Sequence, residues 1–100
     1  MPSHTRTLLT IVTEAALETT LVRELDHLHA HGSTITDARG KGSRGVRDAS
    51  WEASGNIRVE VVCDATTADS IAGYLHEHYY DDNAMIVYTS EITVLRPEKF

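Results

Sequence analysis

The apolar positions fall into six blocks separated by polar or glycine-rich stretches. Residues 7–12 (TLLTIV) are β-branched and apolar on both faces, which predicts a buried central strand. Thr13 is placed to cap a following helix, with Glu14 and Glu18 in the first turn where the helix dipole favours acids. Leu17, Leu21, Leu25 and Leu28 then recur at intervals of four, four and three and make one apolar stripe, with Gly32 placed to end the helix. Residues 33–38 (STITDA) read as a second strand, and 39–55 carry no apolar periodicity. In residues 56–63 (NIRVEVVC) the alternation is clean: Ile57, Val59, Val61 and Cys63 point one way, Arg58 and Glu60 the other, as in a half-buried strand. Asp64 or Thr66 caps a second helix with an apolar face of Ala68, Ile71, Ala72, Leu75 and Tyr79. Asp81, Asp82 and Asn83 then turn the chain into a last strand, 84–94 (AMIVYTSEITV), followed by the tail LRPEKF.

The order βαββαβ in a single domain over 1–100 predicts an α+β, ferredoxin-like sandwich, with two amphipathic helices on one face of a four-stranded antiparallel sheet. The other sheet face carries Leu8, Val12, Ile86, Tyr88 and Val62, too apolar to face water. An oligomer is expected; the pattern does not count its subunits.

Nine Lys and Arg against fifteen Asp and Glu give a formal charge of −6, which argues against a general nucleic-acid binder. No apolar run reaches the roughly 20 residues of a membrane span, and the N-terminus does not read as a secretory signal. Cys63, the single cysteine, excludes an intrachain disulfide framework and a Cys-rich zinc module. These observations predict a small cytoplasmic domain without direct membrane insertion.

Against that acidic background, Arg39, Lys41, Arg44 and Arg47 gather in residues 39–47 (RGKGSRGVR), interleaved with Gly40, Gly42 and Gly45. Alternating glycines let backbone amides turn toward an anion, and arginine pairs bidentately with phosphate oxygens. The segment joins two adjacent strands, and a loop of that length is uncommon without a task. A solvated hairpin tip kept soluble by its charges is the competing account. The spacing is not that of a mononucleotide phosphate loop, and no helix follows it, so the residues support anion binding and not phosphate hydrolysis.

At these residues the chain resembles the PII signalling superfamily, trimeric sensors that bind adenine nucleotides between subunits. Residues 34–47 look like that family's second strand running into its mobile T-loop, here about 39–55. The resemblance is closest to the PII-like branch associated with bicarbonate transporters and carboxysomes, through the loop of Gly40 to Arg47, the strand beginning Asn56-Ile57, and the terminal Lys99-Phe100. It implies a homotrimer in which Gly40, Lys41, Gly42, Ser43, Arg44 and Arg47 hold nucleotide phosphates. Tyr88, Thr89 and Ser90 would line the adenine or ribose side from an adjacent subunit, and Asn56 and Glu60 would neighbour the cleft. ADP or AMP is favoured over ATP, because residues 78–83 lack the Gly, Arg and Lys of that family's second phosphate loop. Bicarbonate is implied as a second signal, and a bicarbonate transporter or a carboxysome component as the regulated partner. The location implied is the cytoplasm, at the carboxysome or at the inner membrane through the transporter. No tyrosine lies between Arg39 and Gly55 to serve as a uridylylation site, and no Cys pair ends the chain.

Several other residues have two readings each. Trp51 either packs the loop stem or, with Val46, anchors a partner. His27 and His31 would share one face of a helix, but two imidazoles without a third ligand make a weak metal site, so no metal is expected. Cys63 reads as a small apolar filler, and Tyr79 and Tyr80 as core or subunit contacts. No catalytic residue and no cofactor are expected, since Ser43 has cations near it but no base. The rival readings are a slow nucleotide phosphohydrolase using the same loop with Glu60, Asp81 and Asp82, and a divalent-metal-binding ferredoxin-like trimer using the histidines.

Overall fold

The computed structural model describes residues 4–40 and 55–96. Strand β1 (His4–Glu14) runs through a 3-10 turn (Ala15–Leu17) into helix α1 (Glu18–His27) and strand β2 (Thr34–Ala38). Strand β3 (Asn56–Cys63), helix α2 (Ala65–Tyr79) and strand β4 (Ile86–Val94) follow among the described residues. The strands form one antiparallel sheet in the order β2-β3-β1-β4. This is the α+β, ferredoxin-like arrangement expected from the pattern.

The core lies between one sheet face and the two helices. Leu9 and Ile11 of β1 and Ile57, Val59, Val61 and Cys63 of β3 meet Leu21 and Leu25 of α1 and Ala68, Ile71 and Leu75 of α2. The same period of two that buries Ile57 and Val59 leaves Arg58 exposed between them. The α1 stripe is as read, with Leu17 and Leu28 partly buried at its ends. Asp64 caps α2, its Oδ1 accepting the Thr67 backbone N–H at 2.8 Å, and these hydrogen bonds hold the Asp64 carboxyl below its ordinary pKa. Burial, with Asp64 beside it, pushes the Cys63 thiol pKa up, as suits an inert filler.

Three local expectations need correction. Thr13 does not cap α1: it is fully buried in β1, and its hydroxyl donates to the Ala84 carbonyl at 2.9 Å. A long-range partner therefore outweighs the local capping bond. Helix α1 does not run on to Gly32. It stops at His27, and His29 takes a left-handed φ of 69°. The His29 N–H then bonds the Asp26 carbonyl at 3.3 Å and the Ala30 N–H the Leu25 carbonyl at 3.0 Å, a Schellman ending in which histidine occupies the position glycine usually takes. This ending removes the helical register that would have put His27 and His31 on one face. Strand β4 also begins later than expected, at Ile86, with Met85 buried just before it.

The helices are also tied to each other through side chains. Tyr74 of α2 donates its hydroxyl to Glu24 Oε2 of α1, and Tyr79 reaches the same oxygen at 3.4 Å. His76 and His78 set their rings at a tilt against Tyr80 and Tyr74 respectively, with centroids 4.9 and 4.1 Å apart. Among the described residues no helix is long and apolar enough to cross a membrane.

Candidate functional site

The face of the sheet opposite the helices is organised in cross-strand rungs. At one end Ala38, Asn56 and Glu14 stand side by side on β2, β3 and β1. The next rung is Thr36, Arg58, Val12 and Ile86, and the next Thr34, Glu60, Thr10 and Tyr88. Val62, Leu8 and Ser90 follow. Successive rungs are about 7 Å apart along a strand. The face is thus divided lengthwise, with polar Asn56, Arg58 and Glu60 on β3 and apolar Leu8 and Val12 on β1. Ile86 and Tyr88 on β4 extend the apolar half and are 59% and 51% exposed, a large apolar surface for one chain to leave to water.

The register Ala38↔Asn56 fixes where the basic segment is attached. It leaves the sheet after Ala38 and returns at Gly55, so its two ends sit together at the polar end of this face. The return is anchored: the Ala15 N–H donates to the Gly55 carbonyl at 3.2 Å, and Gly55 holds a φ of 76° that a side chain would oppose. One strand over, the Ala84 N–H donates to Glu14 Oε2 at 3.4 Å while Thr13 holds the Ala84 carbonyl. The root of the segment is therefore fastened to Ala15, just past β1, and the turn before β4 to Thr13 and Glu14, the last two residues of β1.

Of the residues singled out in the sequence, Asn56, Glu60, Tyr88 and Ser90 share this face. Glu60 and Tyr88 flank Thr10 in one rung. Thr89 does not join them: it pairs with Leu9 and alternation turns it to the helix side, although it is exposed at the sheet edge. Gly40 is exposed just past the end of β2. Lys41, Gly42, Ser43, Arg44, Val46, Arg47 and Trp51 lie outside the described residues, as do Lys99 and Phe100. Glu60, Asp81 and Asp82, the carboxylates a phosphohydrolase would need, do not assemble: among the described residues no three His, Cys, Asp or Glu side chains come together as a metal site.

Two residues of this face were not singled out as candidates. Arg58 stands between Asn56 and Glu60, and the strand alternation that put it opposite the core was the available signal. Glu14 reads from the sequence as part of a helix turn, whereas the β1–β3 register sets it beside Asn56.

Comparison with known proteins agrees with this architecture. The family model of nitrogen regulatory protein P-II matches residues 6–99. A PII-like signalling protein of Thermus thermophilus superposes with a TM-score of 0.85 at 43% identity, over 100% of this chain and 99% of that one. CPII of Thiomonas intermedia, a nitrogen regulatory PII-like protein, shares the fold at lower identity. Its complex with ADP and bicarbonate gives a TM-score of 0.85 at 22% identity, over 99% of this chain and 97% of that one. Its complex with ADP, AMP and acetate gives 0.87 at 21%, over 100% and 98%. With the family model spanning nearly all of it and a 43% identical relative matching end to end, the chain belongs to the nitrogen regulatory protein P-II family.

Proposed function

We propose that the protein is a PII-like sensor that binds ADP or AMP, with bicarbonate as a second signal, and acts on a partner rather than on a substrate. The observation that carries this is the point of attachment of the segment whose sequence is basic and glycine-rich: it leaves the sheet where Ala38 pairs with Asn56, at the end of a face that also bears Glu60, Tyr88 and Ser90. Gly40, Lys41, Gly42, Ser43, Arg44 and Arg47 would hold the phosphates. Tyr88 and Ser90 of an adjacent subunit would line the base and sugar, beside Asn56 and Glu60. CPII of Thiomonas intermedia has been seen with ADP, AMP and bicarbonate, which supports the choice of ligands.

A homotrimer fits the apolar half of the uncovered face, whose burial against another copy would remove Ile86 and Tyr88 from water. Phosphates neutralising Arg44 and Arg47 would offset the entropy lost in ordering a glycine-rich T-loop, and the ordered loop, with Val46 and Trp51, would engage or release its partner. That partner would be a bicarbonate transporter or a carboxysome component, which places the protein in the cytoplasm beside one or the other.

Isothermal titration with AMP, ADP and ATP, each with and without bicarbonate, tests the reading. The expected result is ADP or AMP binding whose affinity bicarbonate changes. Absence of nucleotide binding in every condition would leave the family membership standing and overturn the sensor assignment.

A further inference from the structure

The entry to α1 is fastened by partners distant in the chain. No side chain caps the 3-10 turn Ala15–Leu17 or the helix that follows it. Glu14, just before the turn, is extended, with φ −70° and ψ 138°. Three long-range hydrogen bonds hold residues 13–15 in that form. The Thr13 hydroxyl donates to the Ala84 carbonyl at 2.9 Å, the Ala84 N–H to Glu14 Oε2 at 3.4 Å, and the Ala15 N–H to the Gly55 carbonyl at 3.2 Å. By local chemistry the same residues suit a helix. Thr13 has the strand backbone and the hydroxyl of an N-cap, Glu14 is an acid at the positive end of a helix dipole, and alanines follow at 15 and 16. Local preference and tertiary contacts thus ask for different conformations of one residue, Glu14.

We propose that residues 13–15 are a two-state switch between the end of β1 and the start of α1. In the second state Glu14 turns from an extended to a helical ψ, and α1 begins about one turn earlier. The Thr13 oxygen then accepts the Ala15 or Ala16 N–H as an N-cap. That one step undoes all three ties. Ala15 no longer offers its N–H to Gly55, the Glu14 carboxylate leaves Ala84 as Glu14 leaves its pairing with Asn56, and the Thr13 hydroxyl turns from Ala84 to the helix end. Gly55, where the basic segment returns, and the turn before β4 are therefore held together or released together. A ligand or partner seated at either place shifts the same equilibrium and is felt at the other. The switch goes beyond the sensor reading, since it is a property of the fold and operates without nucleotide.

The test uses Ala16, which is exposed. Ala16→Glu completes a capping box with Thr13, leaves the three ties in place, and favours the helical state; Ala16→Lys puts the opposite charge at the helix start and disfavours it. Nitrogen-15 relaxation dispersion is recorded on nucleotide-free wild type and both variants. The amides of Glu14, Ala15 and Ala84 should exchange at one common rate, while Val59, paired on both sides in the middle of β3, stays silent. The minor state should show helical carbon shifts at Glu14 and be about fivefold more populated in Ala16→Glu than in Ala16→Lys. Absence of exchange at these amides in Ala16→Glu, equal populations in the two variants, or separate rates for Ala15 and Ala84 overturns the switch. Val59 exchanging with them also overturns it, because the event is then global unfolding. No reading depends on ADP, so failure of the sensor assignment leaves the test intact.

Discussion

Tyr74 and Glu24, 50 positions apart in the chain, share a part-buried hydrogen bond that spans the two helices. The donated bond, burial and the carboxylate charge together push the Tyr74 hydroxyl up to about 12 from an ordinary value of 10.0. Tyr79, through burial first and then the same carboxylate, is raised as well. A folded-state pKa above the unfolded one contributes stability that is complete below pH 10.0 and is lost as pH rises toward about 12. Tyr74→Phe should therefore lower the denaturation midpoint at neutral pH and flatten the alkaline loss of stability over that window. Denaturant melts across the alkaline range check both effects.

The left-handed His29 gives a second prediction. An L-residue there costs about 1–2 kcal/mol that glycine does not, partly offset by glycine's greater freedom in the unfolded chain. His29→Gly should raise stability by about 0.5–1 kcal/mol, seen as a higher melting temperature with unchanged circular dichroism.

Ile86 stands on the uncovered face in a rung with Val12 and is 59% exposed. Ile86→Glu places a carboxylate where the proposed subunit contact lies. Light scattering should show the trimer falling to monomers while the circular dichroism of the fold is kept. A trimer that survives the change would locate the contact elsewhere.

Arg44 and Arg47 are proposed to hold phosphates. Replacing both by alanine removes two charge-assisted contacts, each worth about 1.5–3 kcal/mol, so ADP affinity should drop more than about 100-fold with the oligomer unchanged. Titration beside light scattering reads both quantities.

Much of this fold was legible because its signals are periodic. The alternation of residues 56–63 fixed which side chains of β3 face the core, and leucines three and four apart marked the buried stripe of α1. What misled were residues whose local chemistry competes with a distant partner. Thr13 before Glu14 reads as a cap until Ala84, 71 positions away, takes its hydroxyl. Gly32 reads as a helix end, and His29 performs that role because the Schellman bonds and the burial of Ala30 are tertiary facts. At the candidate site, alternation already separated Thr89 from Tyr88 and Ser90, whereas the Asn56–Glu14 pairing required the β1–β3 register. A cleft between subunits is not written in one chain's periodicity, which gives only the apolar face that another copy would meet.

Because Ala38 and Asn56 are register partners on neighbouring strands, the basic segment occupies a gap of about 5 Å that a two-residue hairpin turn could bridge. The core assembled by β1, β3 and both helices draws on residues before and after that gap. The β2–β3 pairing itself therefore asks for no more than a short connection, and the length of the segment is set by something other than closing the sheet. Under the proposed sensor reading, a segment transplanted between related proteins should carry its partner preference with it, as pull-down of each parent's partner by the exchanged protein would show.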